Sequence, residues 1–190
     1  MSIARSILLK ASKSQWLARQ MTRRSFARRA VRKFMPGEEL ADALGAANTL
    51  QSAGIGSIIT RLGESLTGEK NSNDVRDHYV MAMGEVAKRN LSTVISVKPT
   101  QLGLDSSVAE CVRQATVIAE AADSHGAFMW IDMEDSSYVD RTLDMYEQLK
   151  SRFPKTGLAM QAYLYRTPKD LERLMPLKPV IRLVKGAYAE

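Results

Sequence analysis

This sequence has few of the residues from which metal and redox sites are usually built. Its 190 residues include one cysteine, Cys111, and two histidines, His78 and His125. A single thiol closes no internal disulfide, which suits a reducing compartment, and Cys111 reads as a small core residue. Two histidines give little from which to assemble a metal centre. His78 falls within a helical pattern and His125 stands in a turn before Gly126, so both read as structural. No run of 18 apolar residues occurs, which excludes a spanning helix of ordinary length. Acidic residues are absent from positions 1–37, which hold ten Lys or Arg; the first acid is Glu38. The net charge of +6 therefore belongs to one arm, and the remainder is net acidic. Only Trp16 and Phe26 stand among those charges, so nucleic-acid binding ranks last. Three readings of the arm remain. It suits an Arg- and Ser-rich mitochondrial presequence, a basic amphipathic helix on an anionic membrane, or a solvated helix packed on the domain.

What is present is enough for one good core, at 45% hydrophobic and 25% charged residues. Apolar spacing suggests two helices in the arm, the second ended by Pro36-Gly37. A lead-in helix over GEELADALGAANTLQSAG follows and stops at Gly54. Residues 1–53 thus read as a helical arm and lead-in, and residues 54–190 as a separate folding region. In that region short apolar runs alternate with helical patterns. The runs are Ile55–Thr60, Val94–Val97, Phe128–Ile131, Leu158–Met160 and Val180–Val184. The faces between them are Val75, Tyr79, Ala82 and Val86; Val108, Cys111, Val112, Ala115 and Ala119; and Val139, Leu143, Tyr146 and Leu149. A fourth, shorter helix is expected after TPKD, with Thr167 as N-cap, Pro168 at the first position and Asp170 closing the box. This alternation predicts βα units and a parallel sheet. Gly54-Ile55-Gly56 precedes its strand and lacks a third glycine, which disfavours a dinucleotide fold. A βα barrel instead places chemistry at the C-terminal ends of its strands.

Polar residues stand at those ends. Lys98, Asp132, Gln161 and Lys185 each follow an apolar run, and Arg182 lies inside the last one. Period-two alternation puts Val180, Arg182 and Val184 on one face. A guanidinium there needs an acceptor, and Asp132 could supply it, either as a structural ion pair or as part of a site. IDMED carries three carboxylates in four residues, Asp132, Glu134 and Asp135. That could suggest Mg²⁺ or Mn²⁺. However, only Asp132 lies on the strand, and the other two open the next helix, where acids favour the dipole. A metal-dependent or Schiff-base lyase using Lys98, and a non-enzymatic membrane-docking protein, remain as alternatives.

The segments GSIITRLGES, ISVKPTQLGLD, WIDMEDSSYVDRTLDMY, LAMQAYLYRTPKDL and IRLVKGAYAE, taken together, resemble consecutive strand motifs of the proline dehydrogenase family. The basic arm resembles that of its monofunctional bacterial members. The resemblance implies a distorted (βα)8 TIM-like barrel preceded by helices, with FAD bound, oxidising L-proline to Δ1-pyrroline-5-carboxylate and passing electrons to membrane quinone. It implies that Lys98 holds the substrate carboxylate and that Asp132 lies by the amine end. Met133 and Gln161 contact the flavin, and Arg182 sits near its reactive nitrogen. Lys185, Gly186 and Ala187 line the cofactor, Tyr188 closes over the proline ring, and Glu64 gates the pocket. Gly186 also reads as an ordinary loop glycine, Tyr188 as a core aromatic and Gln161 as a satisfied buried amide. Thr60 stands where some members carry an acid. Five of eight strands are counted, so the sequence is expected to be the first part of the barrel and inactive alone. The implied location is the cytoplasm, with the arm able to meet the inner membrane face, or a mitochondrion in a eukaryote.

Overall fold

A computed structural model describes residues 35–62 and 69–188. The two expected arm helices and Glu64 lie outside the described residues. The chain divides into two compact units, Met1–Ala46 and Ala47–Glu190. In the first, Glu39 donates its backbone N–H to the Asp42 carboxylate at 3.3 Å, near the start of helix α1, Leu40–Ser52. That helix is divided between the units, and its Leu44 is buried. It ends where Gly54 turns to φ +74°, as the sequence led us to expect.

The second unit is built on a sheet of five parallel strands in sequence order. These are β1, Ser57–Ile59; β2, Thr93–Val97; β3, Met129–Ile131; β4, Thr156–Gln161; and β5, Val180–Val184. Each connection carries a helix: α2, Glu69–Lys88; α3, Val108–Ser124; α4, Val139–Arg152; and α5, Thr167–Leu174. The strands form a curled half-barrel of TIM-like type. β1 is shorter than the run Ile55–Thr60, pairing with β2 over Ser57–Ile59.

Alternation along the strands sorts the side chains into two faces. Ile95, Val97, Met129, Ile131, Leu158 and Met160 are buried on the outward face, under the helix layer. The α2 and α4 faces expected from sequence are buried. The α3 face is displaced: Val108 and Val112 are only half-buried, while Gln114 and Ile118 are fully covered. Gln114 can face inward because its amide donates to Asn73 and Glu110 and its carbonyl accepts from Arg76. Cys111 is fully buried, its Sγ 3.3 Å from the Met145 sulfur and 3.4 Å from the Pro99 carbonyl oxygen. Burial pushes its thiol well up, with the Glu134 and Glu110 charges adding to the shift. His78 packs edge-on against Tyr79, and His125 caps the end of α3.

The capping expected at α5 is different. Arg166, not Thr167, occupies the cap position. The Thr167 hydroxyl donates to the Gln161 carbonyl at 2.6 Å, tying the helix to the end of β4. Asp170 takes the Arg166 guanidinium at 2.7 Å and so is not free to close the box.

Candidate active site

The inward face of the sheet carries Val94 and Ser96 on β2, Trp130 on β3, Gly157, Ala159 and Gln161 on β4, and Val180, Arg182 and Val184 on β5. Register aligns Ser96 with Trp130, Trp130 with Gly157, and Ala159 with Arg182. Lys98 and Asp132 continue this face just past the ends of β2 and β3. The strand ends therefore bring three of the expected residues together. Arg182 Nη2 lies 2.6 Å from Asp132 Oδ1, and Lys98 Nζ lies 3.3 Å from Oδ2. The Ser96 hydroxyl donates to Oδ1 at 2.5 Å. One carboxylate thus serves two cations and a hydroxyl. The side chains of Lys98, Asp132 and Arg182 keep 17%, 16% and 28% exposure, so solvent-borne molecules can reach the cluster. Two cations against one anion leave an excess positive charge suited to an anionic group.

The span from β5 to β3 is open because β4 is low between them. Ala159, beside Arg182, is small, and Gly157 has no side chain. The Trp130 indole occupies the space over Gly157, where a Cβ would come within 2.6 Å of Cε3. The Arg182 guanidinium lies over the same indole, 5.2 Å from the ring centroid.

A second network binds the loops beyond the strands. The buried Glu134 carboxylate accepts the Thr100 N–H at 2.8 Å and its hydroxyl at 2.7 Å. Glu134 does not serve a helix dipole as expected; a buried carboxylate requires donors, and the loop after β2 supplies them. Asp135 does act at a helix start, accepting the Ser137 N–H at 3.0 Å. The three acids of IDMED are therefore spent on three separate tasks. Among the described residues no group of three or more His, Cys, Asp or Glu comes together. Gln161 donates to the Glu134 and Met133 carbonyls at 3.1 and 3.4 Å. Its Oε1 is buried without a hydrogen-bond partner, as is Arg182 Nε.

Met133 is buried. Lys185 and Ala187 are exposed, and Gly186 and Tyr188 are half-buried. Gly186 has φ +105°, and a Cβ there would fall 1.9 Å from the Tyr163 ring. A tyrosine from the β4–α5 loop thus fills the space the glycine leaves, while the Tyr163 N–H donates to the Lys185 carbonyl at 3.1 Å. Near β1, burial pushes the Tyr79 hydroxyl up, although hydrogen bonds to Thr60 and Arg61 oppose this. The hydroxyl donates to Gln101 at 3.2 Å and accepts from the Arg61 N–H at 3.2 Å.

The family model for proline dehydrogenase matches residues 43–190. The chain belongs to the proline dehydrogenase family. It is 36% identical over 160 residues to proline dehydrogenase 1 of Bacillus subtilis, covering 84% of this chain and 53% of that protein. With proline dehydrogenase 2 of the same organism it shares 32% over 188 residues, covering 99% of this chain and 62% of that protein. With the Deinococcus radiodurans enzyme it shares 30% over 163 residues, covering 83% and 53% respectively. The chain therefore spans between half and two thirds of the length of these relatives. Among solved structures, proline utilization A (PutA) of Bdellovibrio bacteriovorus, inactivated by N-propargylglycine, superposes with a TM-score of 0.72. That match has 23% identity and covers 81% of this chain and 20% of that one, and it supports the fold. Two residues of this candidate site were not anticipated from sequence, and a third was given another role. Ser96 was legible, two positions before Lys98 on one face. Trp130 was not, because its partner Gly157 lies on another strand, and Glu134 was singled out for a metal or a helix dipole because its partner Thr100 lies in another loop.

Proposed function

We propose that this chain carries the substrate site of an FAD-dependent L-proline dehydrogenase, forming Δ1-pyrroline-5-carboxylate and passing electrons to a membrane quinone. The observation that supports this above the others is the sharing of Asp132 between Lys98 and Arg182 at the strand ends of a member of this family. In this reading Lys98 binds the proline carboxylate. The Asp132 carboxylate faces the amine end, where its negative charge favours a cationic nitrogen. Tyr188 covers the ring and Glu64 gates entry. These groups orient the substrate carbon and exclude water.

The residues fit a flavin. Gln161 Oε1 is an orphaned acceptor and Arg182 Nε an orphaned donor, both on the inward face, and a flavin ring edge offers both kinds of partner. Met133, Gln161, Lys185, Gly186 and Ala187 would hold it. Bound FAD would supply the hydride acceptor that side chains lack. The Arg182 charge would then favour a reduced, anionic ring.

The proposed division sets a basic arm and lead-in helix, residues 1–53, before barrel residues 54–190. The arm, with ten basic residues and no acid in its first 37 positions, would draw the protein to an anionic membrane surface near its quinone. That surface is the cytoplasmic face of a bacterial inner membrane, or lies within a mitochondrion in a eukaryote. Among the described residues no helix is long and apolar enough to cross a membrane.

The test is to assay FAD-dependent, proline-dependent reduction of a dye acceptor by the 190 residues alone, which are expected to be inactive, and by the same chain extended to the length of its relatives. Reduction by the extended chain that is lost in Asp132→Asn supports the proposal. Flavin bound there with no proline-dependent reduction, or equal rates in Asp132→Asn, would sink it.

A further inference from the structure

We propose that Trp130 is a positioning residue for Arg182, and that Gly157 is what allows it to be one. The inference rests on the reading above only in taking Arg182 as the working cation of the site.

The Arg182 side chain is held at one end and loose at the other. Its Nη2 donates to Asp132 at 2.6 Å and to Ser96 at 3.4 Å. Its Nε is buried and unpartnered. Bonds from a single nitrogen fix a point but leave the guanidinium plane able to swing about it. A planar surface against one face removes that freedom, and arginine stacks on aromatic faces for this reason. Trp130 is that surface, 5.2 Å from Cζ.

The indole reaches this place from β3, two strands away from Arg182. It can do so only by lying across β4. Gly157, its register partner, leaves the room. A Cβ at Gly157 would stand 2.6 Å from both Cε3 and Cζ3 of the indole and 2.8 Å from Cε1 of Phe128, closer than real Cβ contacts. Phe128 packs beside it, its ring 5.4 Å from Trp130 and tilted by 43°. The glycine, the two rings and the guanidinium therefore form one cluster across three strands.

Replacing Trp16 by Phe leaves Trp130 as the only tryptophan, so its emission reports the cluster directly, with or without flavin. In that background, Arg182→Lys keeps the charge and removes the planar face. We expect a shifted emission maximum and roughly twofold greater acrylamide quenching, as expected for an uncovered ring face. Gly157→Ala should do the same without altering either stacked partner. Unchanged emission and quenching in a folded Arg182→Lys protein would overturn the proposal, whether or not Gly157→Ala folds. In turnover by the extended chain, Trp130→Leu should lower kcat by roughly threefold to tenfold, the range of a partly exposed cation–π contact. Its KM for proline should be little changed, and Trp130→Phe should recover most of the loss. Equal kcat in Trp130→Leu and the unsubstituted protein would overturn the positioning role and leave the proline reading standing. Absence of any proline turnover in the unsubstituted extended chain would count against that reading and leave the emission test to decide this one.

Discussion

Asp132 and Glu134 stand two residues apart at the end of β3, and their surroundings separate their tasks. Asp132 keeps some exposure and gathers Ser96, Lys98 and Arg182. Glu134 is 2% exposed and holds the backbone and hydroxyl of Thr100. Removing each carboxylate should therefore damage a different property. Glu134→Ala strands two buried donors and should lower the unfolding free energy by about 2–4 kcal/mol, read as a lower urea midpoint. Glu134→Gln keeps an acceptor for the Thr100 N–H and should lose less. Asp132→Asn keeps the shape but removes the charge that two cations share. It should lower kcat/KM for proline on the order of 10²-fold, with a smaller change in the urea midpoint than Glu134→Ala. A larger stability loss in Asp132→Asn than in Glu134→Ala would contradict this division of labour.

At the scale of elements, α5 is short and is clasped to α4 by arginines. Arg166 bridges Asp140 and Asp170, and Arg173 reaches Asp144 and Glu147. Each guanidinium is held well above its ordinary range by those carboxylates. In return, the Arg166 hydrogen bond holds Asp140 below its ordinary value against the opposing effect of burial, and the Arg166 and Arg173 charges add less. A carboxylate lowered on folding stabilises the fold above its unfolded pKa, and that contribution is lost as pH falls through the lowered value. The Asp140 side chain is 71% exposed, so the contribution should stay below about 1 kcal/mol. Asp140→Asn should therefore unfold at lower urea than the unsubstituted protein at neutral pH, and the two midpoints should converge in strong acid. A gap that persists undiminished at low pH would contradict the linkage. The order of elements was legible because strand and helix periods differ and neither is hidden by charge. The ends of β1 were not, since they are set by its register with β2, which pairs with Ser57–Ile59 alone. Nor was the burial of Gln114, which depends on Asn73 and Arg76 in a different helix. Thr167 carried a capping signal that was read correctly as a hydrogen-bonding hydroxyl but assigned to the wrong partner.

For the molecule as a whole, the sheet ends, among the described residues, in two strands that each have one neighbour, β1 and β5. Leu183 on β5 is 66% exposed and Ile58 on β1 is 45% exposed. Bare strand edges with apolar side chains favour pairing with another copy. The 190-residue chain should therefore elute as larger species as its concentration rises, and Leu183→Lys should shift it back toward monomer. Elution independent of both concentration and the substitution would contradict this. The same helix layer that covers the outward face of the sheet encloses Cys111 beside Met145. Sealed from solvent and with its thiol pushed up by burial, the sulfur is inert to alkylating reagents while α3 and α4 stay docked. Its rate of alkylation is then a clock for the opening of that layer. A cysteine introduced at the fully exposed Tyr165 would be the single fast-reacting handle on the folded protein, free of background from the native thiol.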